Sequence, residues 1–134
     1  MAGLKAKEMA DKLTAATSLA NQLARQQQQE RQAASPDKAE RQRSLAEDAR
    51  TLDDFLQEFQ QAARETDAQL ADALREAAEA NPPNELADQM DQTAQALQSG
   101  GRQQAQSSLD QNARRLDALA QQLDAVRRSF VQPH

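Results

Sequence analysis

The carboxylates are the first residues of this chain with chemistry to offer. Asp53, Asp54 and Glu58 lie close together, and Asp67 and Asp72 follow within about four turns. A helical di-metal centre needs inward-facing glutamates together with two Glu-x-x-His motifs. The single histidine is His134 at the terminus, and no such motif exists. These acids are therefore expected to form a solvated face, with no metal site. There is no cysteine, and His134 sits on no rigid element, so neither a Ser–His nor a Cys–His pair can be assembled. Gly100-Gly101 lacks the flanking strand and lysine that would make a phosphate loop. No catalytic residue, cofactor-binding residue or metal ligand is expected, and the chain does not read as an enzyme.

The basic residues point the same way. Arg114-Arg115 and Arg127-Arg128 fall on similar sides of one helix, but Asp110, Asp117 and Asp124 interleave and no aromatic is placed to stack on a base. With 16 basic and 21 acidic residues the chain is mildly acidic, which argues against nucleic-acid binding. The charge is uneven: residues 1–44 carry +3, residues 45–91 carry −10 and residues 92–134 carry +2. The arginine pairs, and the basic flanks generally, are expected to pair with the acidic centre. Gln26–Gln29 is expected to be a solvated helix face, and Phe55 and Phe59 to be core anchors instead of a ligand pocket.

The elements that position these residues are helices. The chain has no Ile, Trp or Tyr and only two valines, Val126 and Val131, so the β-branched and aromatic material of a sheet is missing. Ala, Leu, Gln and charged residues recur at helical spacing, which gives an all-α class. The longest pattern runs from Pro36 to Ala80. Leu45, Ala49, Leu52, Leu56, Phe59, Ala63, Leu70, Ala73 and Ala77 alternate in steps of four and three, with Thr66 in the remaining slot. Uninterrupted, this rod would reach roughly 65 to 70 Å. A first helix is expected from about Ala2 to Ala33, with its seam at Ala6, Met9, Leu13, Ala16, Ala20 and Leu23, widened by Leu4 and Leu19. Ser35-Pro36-Asp37 separates it from the rod, Ser35 as cap and Pro36 in the first turn.

Asn81-Pro82-Pro83-Asn84 ends the rod, with Asn81 or Asn84 available to cap the next helix, Glu85 to Gln98. Its seam is Leu86, Met90, Thr93 or Ala94, and Leu97; Ser99-Gly100-Gly101 stops it. A last helix spans Arg102 to Phe130, with Asn112 on its seam as a polar residue suited to fixing register or partner number, and Ala113 beside it as the alternative contact. The architecture expected is a single domain over residues 1–134, an elongated antiparallel bundle resembling a coiled coil, with helices at about 2–33, 36–80, 85–98 and 102–130. Folded back on the rod, the last helix would project past the prolines. Leu116, Leu119, Leu123, Val126 and Phe130 would then form an exposed stripe, and two chains are expected to pair through it as a homodimer. The competing arrangement runs this helix on beside the first two.

No apolar run is long enough to span a membrane, and Met1–Ala20 lacks the apolar centre of a signal peptide. The pattern Leu86-x3-Met90-x3-Ala94-x2-Leu97, then Gly100-Gly101, then Ala105-x3-Leu109-x3-Ala113-x2-Leu116-x2-Leu119, resembles helical hairpins of large, Ala/Gln-rich, membrane-anchored, uncharacterised bacterial proteins of planctomycete type. That resemblance covers the last third to half of the chain and implies an extracytoplasmic helical segment of a longer protein. The function expected is a non-catalytic structural or protein–protein interaction module. The alternative is an amphipathic protein that binds a lipid or granule surface.

Overall fold

A computed structural model describes residues 5–32 and 37–130. It is all-α. Five segments follow one another, α1 (Ala6–Gln32), α2 (Lys38–Arg64), α3 (Ala68–Ala80), α4 (Pro83–Gln98) and α5 (Arg102–Phe130). They occupy four columns, because α3 and α4 share one. Both pack on α2, and both pack on α5. Asn84 near the start of α4 reaches Asp53 in the middle of α2, and Gln98 at its end reaches Arg43 near the start of α2. The helix α4 is thus antiparallel to the first half of α2. The stretch of α2 from Asp53 to Arg64 is about 17 Å long, and α3, at about 20 Å, folds back along it.

The rod expected from Pro36 to Ala80 is therefore broken. Its periodicity is real on both sides of the break, but at Glu65–Asp67 the chain turns. The amides of Thr66 and Asp67 donate to the carbonyl of Ala63, and the Asp67 side chain caps α3 by accepting from the Leu70 amide at 3.1 Å. Thr66, the polar slot of the seam, is exposed here. After the turn the buried face is Leu70, Ala71, Leu74 and Ala77, so Leu74 replaces the expected Ala73. A 45-residue helix would have left half its seam without a neighbour; folding back covers it.

At Asn81-Pro82-Pro83 the column is interrupted without reversing. Pro82 is the N-cap of α4 and Pro83, buried, is its first residue, where a missing N–H does no harm. Neither asparagine caps α4. Asn81 closes α3 and Asn84 lies inside the first turn of α4. The stop after α4 is as expected: Gly100 has φ of +84°, and the Gly101 amide donates to the Ala96 carbonyl at 2.9 Å, closing the helix end. Ser35 and Pro36, Leu4, and the end Val131-Gln132-Pro133-His134 lie outside the described residues.

The helix α1 is antiparallel to α2, with Lys12 over the Phe55 ring and Gln27 against Gln42. It packs most closely against α5, and α2 most closely against α4. Buried Ala16, Ala20 and Ala24 on α1 and Ala105, Ala113 and Ala120 on α5 allow those backbones to approach. Accordingly Leu116, Leu119 and Leu123 are 0% exposed within one chain, and Val126 and Phe130 pack on the same core. The stripe expected to lie bare and to pair two chains is covered by the chain itself. The arrangement found takes part of each reading: α5 runs antiparallel to α4 across the short Gly100-Gly101 link and lies beside α1, but its other neighbour is the α3–α4 column in place of α2. Its physical origin is the turn at Thr66, which shortens the rod to the length of its neighbours and leaves no overhang.

Candidate interaction sites

The core is mostly Leu and Ala, and its exceptions are the informative residues. The seam of α1 does not stop at Leu23. It continues through Gln27, 0% exposed, and Glu30, 7% exposed. Gln27 and Gln42 exchange amide hydrogen bonds, at 3.3 Å from Gln27 Nε2 and 3.0 Å from Gln42 Nε2. Each side chain offers a donor and an acceptor, so the pair satisfies itself without water. The expectation of a solvated glutamine run fails at Gln27. The signal is present in the spacing: 13, 16, 20, 23, 27 and 30 continue the same three–four steps.

One turn on, the Glu30 Oε1 accepts from Arg41 Nε, and the guanidinium's pKa is raised first by that hydrogen bond. Glu30 Oε2 is buried with no hydrogen-bond partner. These two residues line a cleft of about 290 Å³ between α1 and α2, with Gln26, Gln29, Ser44 and Asp48 around it. The cleft can accept hydrogen bonds and hold charge.

A second polar pair lies between α4 and α5. Asn112, 1% exposed, donates to Thr93 Oγ1 at 3.4 Å, while the Thr93 hydroxyl donates to the Gln89 carbonyl at 2.8 Å. Asn112 is thus on the seam as expected, and it shares that position with Ala113, buried beside it.

The acidic residues part company. Asp54 and Glu58 are exposed, but Asp53 is 6% exposed and belongs to the core boundary. Its Oδ2 accepts from Gln57 at 2.6 Å and from Asn84 at 2.8 Å, which pins the start of α4 to α2. Asp67 is the cap of α3, and Asp72 pairs with Arg75 on the same helix. Among the described residues, no group of three or more His, Cys, Asp and Glu is placed to hold a metal ion.

The ion pairs around α2 have the opposite polarity to the one expected. There the base is on α2 and the acid on its neighbours, Arg41 to Glu30 and Arg50 to Asp88 and Asp91. Of the arginine pairs, Arg115 meets Glu85 on α4 and Asn81, and Arg127 and Arg128 both take Asp124 on their own helix. Arg115–Glu85 thus joins the basic C-terminal flank to the acidic stretch as expected, while most of that stretch's carboxylates lie on exposed faces, where repulsion is screened. Phe59 is buried as expected. Phe55 is half-buried, set edge-on to Phe59 with ring centroids 6.3 Å apart. Compared with known proteins, the chain matches no family model, no curated protein and no solved structure.

Proposed function

We propose that this chain is a non-catalytic helical module that serves structure and protein–protein contact within a larger bacterial protein. The observation that supports this reading is the use of the apolar residues. Leu13, Leu52, Phe59, Leu74, Met90 and Leu116 belong to one internal core that runs through all five segments, and the outer faces carry Gln, Arg, Asp and Glu. A surface of that kind suits a domain that holds its own shape and meets partners through polar contacts. Among the described residues, no helix is long and apolar enough to cross a membrane. Placement as the extracytoplasmic part of an anchored parent rests on the hairpin resemblance of residues 86–126.

The partner proposed is another protein. A second copy held through Leu116, Leu119, Leu123, Val126 and Phe130 would have to displace α1 from that face. The test is whether the isolated chain is complete. Circular dichroism and chemical denaturation, without lipid or partner, are expected to show full helicity and one cooperative transition. A weakly helical chain that gains structure only on adding phospholipid vesicles would overturn the reading in favour of a surface-binding amphipathic protein.

A further inference from the structure

We infer that the two buried polar pairs, Gln27–Gln42 and Asn112–Thr93, are a register lock that makes this chain choose one closed bundle. The need for a lock comes from the sequence. All four columns repeat Leu and Ala in steps of three and four, so sliding one helix past another by seven residues would again set Leu and Ala against Leu and Ala. Hydrophobic burial alone distinguishes such registers poorly, being proportional to area and without direction.

The polar pairs do distinguish them. Gln27 joins α1 to α2, and Asn112 joins α5 to α4. These contacts tie the α1–α5 pair to α2 and the α3–α4 column, so the pairs sit where a slip between the two halves would occur. A slip of seven residues would place Gln27 against Ala49 and Asn112 against Leu86. Each amide would then be buried with no partner. Both pairs are closed to solvent, at 0% exposure for Gln27, Gln42 and Thr93 and 1% for Asn112, so water could not make up the loss. Thr17 is the contrasting case. It too is buried, at 5%, but its hydroxyl donates to Leu13 of its own helix at 2.8 Å and carries no information about a neighbour.

The test separates specificity from stability. The variant Gln27→Leu/Gln42→Leu/Thr93→Val/Asn112→Leu removes both pairs together and leaves no orphaned amide. It is expected to remain helical and to melt no earlier than the parent, while losing uniqueness. That loss is read as more than one backbone amide resonance per residue, or as a mixture of masses in light scattering across a dilution series. Thr17→Val is expected to keep one set of resonances and one mass. Gln27→Leu alone strands Gln42 and is expected to lower the melting midpoint. A fourfold variant that stays a single species with one set of resonances overturns the lock. So does one that no longer folds, because the pairs would then be supplying stability. Should the fourfold variant prove insoluble, Gln27→Leu/Gln42→Leu is measured in the same way: several species support the lock, and a single species or an unfolded chain overturns it.

Discussion

Phe59 is the largest side chain in the fully buried core, and in a chain with three phenylalanines it has no substitute. Truncating a buried Phe removes its transfer energy and leaves a cavity, about 3 to 5 kcal/mol together. Phe59→Ala is expected to lose that much by chemical denaturation, against about 1 kcal/mol for Ala15→Gly on an exposed helix face. A smaller loss at Phe59 than at Ala15 would remove Phe59 from the core. At Asp124 the effect is electrostatic. Hydrogen bonding to Arg127, with Arg128 close by, holds its carboxyl below the ordinary aspartate value. A carboxyl lowered in the folded state stabilises fully above the unfolded pKa, near ~3.9, and loses that contribution as pH falls through its lower folded value. Asp124→Asn is therefore expected to flatten the fall in stability below about pH 4 and to leave its slope near neutrality unchanged. Denaturation at a series of pH values measures it. At this scale the sequence is legible wherever period decides the outcome, as at Leu13, Leu52 and Leu56. It misleads where residue type is set above period. Gln27, Glu30 and Asp53 are polar by type and buried by position, and the partners that make this tolerable come from other helices.

Helix ends carry the topology. Gly100 sits at φ of +84° with nothing near the place a Cβ would take, so the obstacle to a side chain there is backbone strain and not space. Gly101 has no such φ, and its Cβ would meet the Ala96 carbonyl oxygen at an ordinary 3.6 Å. Gly100→Ala is expected to cost about 1 to 2 kcal/mol, while Gly101→Ala is expected to be near neutral or slightly stabilising. Equal losses in thermal melts would contradict the assignment of roles. Asp67 is the corresponding device at the other end. Removing its cap bond in Asp67→Ala is expected to cost about 0.5 to 2 kcal/mol, and Asp67→Asn to recover most of it. The boundaries at Gln98, Arg102 and Phe130 are readable from Gly and from the seam. The turn at Glu65–Asp67 is hidden, because it contains no Gly or Pro and the four–three rhythm passes through it. Its signal is Thr66-Asp67, two residues that favour capping over helix interiors, with Thr66 in the one slot of the rhythm that holds no apolar residue.

For the whole molecule, the turn decides the assembly. With α5 lying against α1, the chain is expected to be a monomer by light scattering across a dilution series. Leu123→Glu should unfold it, because the new carboxylate would enter a position that is 0% exposed. A folded Leu123→Glu protein that merely changes mass would restore the bare stripe and the dimer. The all-α class and the antiparallel order of the columns follow from composition and short links. The place of the second reversal does not, since a hidden turn at Glu65–Asp67 takes it over from Pro82-Pro83 and converts a projecting helix into a covered one.

The order of the columns has a mechanical consequence. The first residue of α1, Ala6, and the last of α5, Phe130, lie at the same end of the bundle, on the pair of helices with the most extensive mutual packing. Polypeptide attached there would enter and leave side by side, so the module would add about one interhelical spacing, roughly 10 Å, to the contour of a taut chain, and not the ~40 Å length of its columns. Tension on those two points would separate α1 from α5 one turn at a time, as a zip opens, without loading the whole interface in shear. Pulled from Ala6 and Phe130, the bundle is expected to open at lower force than the same helices loaded in shear, which single-molecule extension would measure.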